Sequence, residues 1–199
     1  MPEPHRSEAA GRILDIAEKL AQTCGFNGFS YADIAQQLGV TRASLHYHFP
    51  TKAELGRALI ARYRERFAEE LEAIDRRGGE ASTKLRRYVA LYHQVMRLDR
   101  MCLCGMFAAE YATLPAAMQE ELRRFFDANE HWLAGVLEAG RRADLLAFGG
   151  SPQACARVLL GTLEGAMLIA RTYGDVVRFR CVAKHVLKEL ASAGARIPA

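Results

Sequence analysis

The sequence predicts an all-α protein, and three observations carry this prediction. Half of the 199 residues are hydrophobic, enough for a sizeable core, and they recur at the three- and four-residue spacing of a helix face. No segment alternates between apolar and polar residues at the period of two that a half-buried strand requires. Glycine and proline cluster only where the helical pattern breaks. We therefore expect helices joined by short turns.

The amino-terminal part begins with a frayed arm, predicted over residues 1–6, and a helix over residues 7–24 with an apolar stripe that includes Ile13, Ala17 and Leu20. A Gly-Phe-Asn-Gly turn follows. The next helix is predicted from Ser30, which forms a capping box with Asp33 three residues later.

This second helix ends at Gly39, because glycine adopts a left-handed backbone without strain. Val40 is expected to be the buried residue of the turn. A short helix then runs from its cap at Thr41 to Phe49, with Leu45 and Phe49 inward and polar side chains outward. A second capping box, Thr51 with Glu54, opens the next helix.

Two short helices joined by a glycine turn form a helical hairpin, which is common in helical proteins of any function. The second helix here is also about as wide as a DNA major groove, and its outer face offers hydroxyl, guanidinium and aromatic groups. These groups suit phosphates and base edges. The helix caps, the glycine that ends the first helix and the polar outer face of the second all fit one motif over the whole stretch. This agreement favours a helix-turn-helix.

Residues 29–55 resemble the DNA-binding domain of the TetR family of transcriptional regulators. The matching features are Ile34-Ala35, the Gly39-Val40 turn, the recognition helix ending at Phe49, and Lys52. His46 departs from the pattern, because it stands where the family usually has its first recognition-helix tyrosine. The resemblance implies contacts with double-stranded DNA by a set of eight residues: Thr41, Arg42, Ala43, Ser44, His46, Tyr47, His48 and Lys52.

The rest of the chain continues the helical pattern. Further helices are predicted over residues 51–76, 82–98, 103–111, 115–141, 151–173 and 176–191. Gly78-Gly79 marks a boundary. We therefore predict a DNA-binding domain at 1–50, a connecting helix at 51–78, and a ligand-binding and dimerisation domain at 79–199. In the family the connecting helix transmits the ligand signal to the DNA-binding head.

The larger domain carries aromatic and flexible side chains of the kind that line ligand pockets, although each such residue alone is more often part of a core. The expected lining of a pocket for a small-molecule inducer is Tyr88, Tyr92, Met96, Phe107, Tyr111, Trp132, Met167 and Arg171. Arg171, Glu164, His131 and Glu110 are polar residues among apolar ones. Each could anchor a ligand or form a structural pair, and an arginine would favour a carboxylate.

Cys102 and Cys104 lie at a predicted helix start, near Arg97 and Arg100, where a thiol pKa is lowered. One hypothesis makes either cysteine an electrophile or redox sensor, as in cysteine-bearing TetR-type repressors that this stretch resembles. The alternative is two small, half-buried helix residues. Metal ligands at recognisable spacing are absent from the sequence, so no metal or cofactor is expected.

The last two helices predict a homodimer. Gly161 and Gly165 lie four residues apart on one face, and residues 176–190 are apolar over much of the helix surface. A symmetric four-helix interface would bury this surface, whereas a monomer would have to pack it as an ordinary terminal helix. In the family, two heads then read successive major grooves of a near-palindromic operator.

Charge and cysteine content limit the remaining classes. The formal charge of +4 is mild, and residues 1–60 have no net charge, which argues against a nonspecific DNA coater. An odd number of five cysteines and the lack of a signal peptide predict a soluble, cytoplasmic protein with no membrane partner. The expected function is a ligand-responsive repressor and not an enzyme. The alternatives are a thiol-dependent enzyme using Cys102 or Cys104 with His93 or His131, and a constitutive DNA-binding protein.

Overall fold

The computed structural model describes residues 4–191, with side chains from residue 8 onward. The described part of the chain is helical, in the order α1 Pro4–Cys24, α2 Tyr31–Leu38, α3 Arg42–His48, α4 Lys52–Arg76, α5 Ala81–Arg97, α6 Leu103–Ala109, α7 Ala116–Arg142, α8 Pro152–Thr172 and α9 Val176–Glu189. The prediction of an all-α fold is confirmed.

Most predicted boundaries agree with the structure to within a few residues, because caps and stop signals act locally. The first helix begins earlier than expected, at Pro4, and the remainder of the predicted arm, residues 1–3, lies outside the described residues. The sixth helix ends at Ala109, and a separate 3-10 turn follows at Tyr111–Thr113. Among residues 4–191 the only extended pairing is an isolated antiparallel bridge between Leu146 and Ala191.

The described residues form two compact units. The first consists of the described residues up to Arg66 together with Cys102–Phe125. Within it α1 packs against α2, α3 and α6, and α2 packs against α3. Its core is built from the apolar stripes of these helices, together with the start of α4: Ile13, Ala17, Ala21, Ile34, Leu45, Leu55, Leu59 and Phe107. The DNA-binding motif is therefore part of a small core that also includes α6.

The second unit consists of Phe67–Met101 together with the described residues from Phe126 to Ala191. Here α8 and α9 pack together, and α5 packs against both. Its core includes Leu85, Tyr88, Leu133, Leu163 and Phe179, each at most 1% exposed. α4 and α7 each contribute residues to both units. These units do not test the predicted boundaries at residues 50/51 and 78/79, which stay predictions.

α8 is also the one described helix that is long and apolar enough to cross a membrane by length and composition. This is weak evidence, because core helices of soluble proteins pass the same test, and part of α8 is buried.

Candidate functional site

The helix-turn-helix is held by the local signals that its sequence contains. Ser30 accepts a hydrogen bond from the backbone N–H of Ala32, and the Asp33 carboxylate accepts from the backbone N–H of Ser30 at 2.7 Å. Gly39 caps the carboxyl end of α2: its φ of +68° is left-handed, and its N–H donates back into the last turn. Val40 is 43% exposed, so the expectation that it would be buried was wrong. Backbone hydrogen bonds, including Val40 N–H to the carbonyl of Ala35, hold this turn without a buried side chain.

α3 is anchored by its inner face. Leu45 is fully buried and Phe49 is 9% exposed, as predicted. The Tyr31 hydroxyl of α2 donates to the carbonyl oxygen of Phe49 at 2.7 Å, and burial, followed by the charge of Glu54, raises the pKa of Tyr31 to about 12. The His46 ring lies 4.7 Å from the Tyr31 ring, and its Nδ1 lies 3.0 Å from the Pro50 carbonyl oxygen. A helix of seven residues thus gains a fixed orientation from α2.

The outer face of α3 is open. Six of the eight residues predicted to contact DNA are exposed, namely Thr41, Arg42, Ala43, Ser44, His46 and Tyr47. Tyr47 is 65% exposed, and its ring meets the half-buried His48 ring edge-on at 5.2 Å. The structure therefore places these six residues and His48 on one short helix and its cap. Their contacts with DNA stay predictions.

Lys52 lies differently from the other seven. Its half-buried ammonium donates hydrogen bonds to the carbonyl oxygens of Phe26, at 2.6 Å, and Phe29. It also lies 4.6 Å and 4.5 Å from the centroids of the two phenylalanine rings. Burial lowers the pKa of Lys52, although the nearby Glu110 opposes this change. In this structure the ammonium holds the turn between α1 and α2, and its predicted contact with a phosphate would have to compete with these bonds.

Glu110, at the end of α6, holds the same turn from a distant part of the chain. Its carboxylate accepts from the backbone N–H of Phe26 at 2.6 Å and of Asn27 at 3.2 Å. Gly25 leaves room for this approach, because a Cβ there would lie 2.9 Å from a carboxylate oxygen of Glu110. Sequence reasoning named Glu110 only as one of four polar residues that could anchor a ligand or form a structural pair. No local pattern connects positions 84 residues apart.

Residues 36–64 contain four arginines and one lysine, and two of these arginines form ion pairs. Arg62 pairs with Asp15 at 2.8 Å and with Glu18 at 3.1 Å, and Arg64 pairs with Glu121 at 3.4 Å. Within the described residues, the cations of this stretch that are exposed and form no ion pair are Arg42 and Arg57. A phosphate-binding footprint built on these two would be modest.

Sequence comparison assigns both parts of the chain. Residues 13–59 match the pattern described as "Bacterial regulatory proteins, tetR family", and residues 81–186 match "Tetracyclin repressor-like, C-terminal domain". The chain belongs to the TetR family. It is a transcriptional regulator with a helix-turn-helix, as its sequence predicted.

Solved structures of TetR-family proteins resemble nearly all of the chain. A TetR-family transcriptional regulator from Agrobacterium tumefaciens is 31% identical, with a TM-score of 0.91, over 94% of this chain and 100% of that one. A TetR transcriptional regulator from Legionella pneumophila is 34% identical, with a TM-score of 0.82, over 90% and 95%. The HTH-type transcriptional regulator TtgR of Pseudomonas putida is 40% identical over 53 residues, 27% of this chain and 25% of that protein.

The residues predicted to line a ligand pocket are divided between the two units of this TetR-family chain. Tyr88, Tyr92 and Trp132 lie together in the second unit, where Trp132 stacks on Tyr88 at 5.6 Å. The Tyr88 hydroxyl lies 3.0 Å from the Tyr92 hydroxyl and donates to Asn129 Oδ1 at 3.0 Å. Tyr88 and Tyr92 are buried at 0% and 2% exposure. These tyrosines therefore form part of a hydrogen-bonded core.

The other five predicted ligand residues are divided. Met96 and Arg171 line a cavity of about 270 Å³ between the ends of α5 and α8. Met167 is fully buried, while Phe107 and Tyr111 belong to the first unit, the former fully buried and the latter 36% exposed. The eight residues do not line one described cavity, and their role in ligand binding stays a prediction.

The two candidate sensor cysteines are buried. Cys102 is 2% exposed and caps α6, its sulfur accepting from the backbone N–H of Gly105 at 3.5 Å, and Cys104 is fully buried. Both belong to the first unit, whereas His93 and His131, the partners considered for a thiol-dependent enzyme, belong to the second. A sensor role for either cysteine stays a prediction. Across residues 4–191 no group of three or more metal-binding side chains is placed to hold an ion.

Proposed function

We propose that this TetR-family regulator is a ligand-responsive, dimeric repressor that acts in the cytoplasm and leaves its near-palindromic operator when a small molecule binds the second unit. One observation carries the DNA-binding part of the proposal. α3 exposes its polar face while Leu45 and Phe49 fix its inner face. A helix held in this way fits a major groove, with Arg42 and the hydroxyls at phosphates or base edges.

The docking model is tested by fluorescence anisotropy with DNA from upstream of the gene. We expect Arg42→Ala and Tyr47→Ala to weaken binding, because each removes an exposed group from the proposed docking face. Arg142→Ala, an exposed arginine of the second unit, is the control and should bind as the parent does. If both α3 variants bound as tightly as the parent, α3 would not be the helix that enters the groove.

Lys52 allows a second test, because a phosphate contact and a purely structural role predict different salt dependences of DNA binding. If Lys52 contacts a phosphate, Lys52→Met should reduce the slope of log affinity against log salt by about 1, since one fewer counterion is released. If Lys52 acts only by holding the Phe26–Phe29 turn, the affinity should fall at all salt concentrations with the slope unchanged. The hydrogen bonds to the two carbonyl oxygens favour the second outcome.

The dimer is supported by an open apolar face on the last two helices. Val158 and Ile169 of α8 are 65% and 60% exposed, and Val177 of α9 is 54% exposed. Nothing lies within 4 Å of a Cβ placed at Gly161 or Gly165, so a second helix could approach α8 closely. In a dimer of this kind, the two helix-turn-helix motifs would meet successive major grooves about 34–36 Å apart.

Dimerisation is tested by sedimentation with a matched pair of variants. Val158→Glu places a charge on the proposed interface and should shift the protein towards a monomer and weaken operator binding. Leu98→Glu makes the same kind of change at another site of the second unit, where the leucine is 64% exposed, and should leave the dimer intact. Equal sedimentation of parent and Val158→Glu protein would reject this interface.

Ligand response is tested by a thermal-shift screen followed by operator release. A ligand at about 100 times its dissociation constant adds roughly 2.7 kcal/mol to stability. A coupling of about 1–3 kcal/mol between ligand and operator is enough for a roughly 5- to 150-fold change in affinity. A compound that stabilises the protein while leaving operator affinity unchanged would not be an inducer.

A further inference from the structure

A second cavity of the second unit, about 310 Å³ in volume, lies at the end of α4, the start of α5 and one face of α7. α7 contributes Trp132, Gly135 and Ala139 to its wall, at the three- and four-residue spacing of a single helix face. Nothing lies within 4 Å of a Cβ placed at Gly135, so this part of the wall faces open space. The volume is at the small end of ligand pockets.

The aromatic wall of this cavity is rigidly supported. The Trp132 indole Nε1 donates to Asp75 Oδ2 at 2.9 Å, and the ring stacks on Tyr88 with an angle of 20° between planes. Tyr88 is held in turn by its hydrogen bond to the buried Asn129. A ring fixed on two sides keeps its remaining face in one position, as a preformed binding surface requires.

The charges lining the cavity leave one carboxylate unneutralised. Asp75 accepts from Trp132 through one oxygen and pairs with Lys84 through the other at 2.5 Å. Glu80 stands at the N-cap position of α5 but makes no side-chain capping bond, and it forms no ion pair with any described residue. With Asp75 and Lys84 balanced, the lining has a charge of −1, carried by Glu80.

We propose that this cavity binds a small organic cation with an apolar body. The ammonium group would lie between the Glu80 carboxylate and the face of Trp132, because a ring face and a carboxylate both attract a positive charge. The apolar body would rest on Gly135, Ala139 and Val136 of α7. The role of the cation as an inducer rests on the proposed function, whereas its binding in the cavity does not.

Trp132 is the only tryptophan of the chain, so its emission reports directly on this cavity. The full-length protein is titrated with three probes that share one ring and differ in charge: protonated benzylamine, neutral benzyl alcohol and anionic benzoate. We expect saturable changes in emission with benzylamine, and binding several-fold weaker for the other two. Equal affinities for the three probes, or no saturable change with benzylamine, would overturn the proposal.

Variants locate the binding. Glu80→Gln should weaken benzylamine binding by about 1.5- to 5-fold, the range of an ion pair at an exposed carboxylate, without changing benzyl alcohol binding. Glu138→Gln, an exposed acid of α7 outside the cavity lining, is the matched control. Gly135→Leu should fill the cavity and abolish the signal in protein whose circular dichroism is unchanged. Unchanged benzylamine affinity in Glu80→Gln would refute the cation site. Because Glu80 is exposed, this substitution should not disturb folding.

Operator binding is measured separately by anisotropy, with and without benzylamine. Failure to bind DNA in the absence of the probe would reject the proposed repressor and would leave the fluorescence titration as evidence for the site. Saturable benzylamine binding with unchanged operator affinity would support the site and remove it as the inducer site.

Discussion

The turn between α1 and α2 depends on a carboxylate contributed by α6, and Glu110→Ala tests this dependence. The variant leaves the backbone N–H groups of Phe26 and Asn27 without their charged acceptor. Hydrogen bonds to charged groups contribute about 1.5–3 kcal/mol when buried. Because the bond to Phe26 is only partly buried and the bond to Asn27 is exposed, we expect a total loss of about 1.5–3 kcal/mol.

For a chain of this size such a loss corresponds to a fall in Tm of about 3–12 °C, measured by scanning calorimetry. Glu120→Ala is the matched control, since Glu120 is a half-exposed acid of the same unit that pairs with Arg123 and Arg124 on its own helix. Its Tm should change by much less. Operator affinity should fall in Glu110→Ala as well, because the released turn precedes the helix-turn-helix.

Lys52 holds the same turn, which makes a double-mutant cycle informative. Lys52 donates to the carbonyl of Phe26, and Glu110 accepts from the N–H of the same residue. Once the hydrogen bonds of either Lys52 or Glu110 are removed, the turn is freer to move. Removing the second set should then lower the free energy of unfolding by less, so the two losses should not be additive. A Tm for Glu110→Ala within about 1 °C of the parent, or strict additivity with Lys52→Met, would contradict the reasoning.

Three other predictions concern the helix-turn-helix. Gly39→Ala should lower stability by about 1–2 kcal/mol in urea unfolding, because φ is +68° and the space around the residue is open, so that only backbone strain is added. Tyr31→Phe should cost about 1 kcal/mol through the lost bond to Phe49 and remove a phenol absorbance change near pH 12. In the parent, the stabilisation from neutral Tyr31 is present below its ordinary pKa and is lost as pH rises through about 12. Hydrogen bonds from the Ser30 side chain and backbone lower the pKa of Asp33, so its contribution is present above the ordinary carboxyl pKa and disappears as pH falls through the lowered value. Asp33→Asn should flatten this acid dependence, and an unchanged acid limb would contradict it.

The sequence predicts features that depend on neighbours along the chain. Both capping boxes, the glycine stop at Gly39 and the inward face of α3 formed by Leu45 and Phe49 agree with the structure, because each rests on residues within a few positions. Helix type and approximate bounds follow from the same local signals. The resemblance to the family rests on residues 29–55, and the matches over residues 13–59 and 81–186 assign the chain to it.

Features that depend on distant residues were not predicted. Lys52 donates to two carbonyl oxygens of the α1–α2 turn, and Glu110 accepts from a backbone N–H of the same turn. These hydrogen bonds join residues far apart in the sequence, and the spacing of apolar residues does not predict such pairs. Periodicity also cannot separate a core aromatic from a pocket aromatic. For this reason Tyr88 and Trp132 were predicted together, although one is fully buried in a hydrogen-bonded network and the other borders a cavity.

α3 divides its tasks between two sets of side chains. Leu45 and Phe49 secure the helix, while Arg42, Ser44 and Tyr47 take no part in the core. Exposed substitutions usually change stability by no more than about 0.5 kcal/mol. Over evolutionary time, such a helix can therefore acquire new sequence preferences one residue at a time, while the scaffold that carries it stays intact.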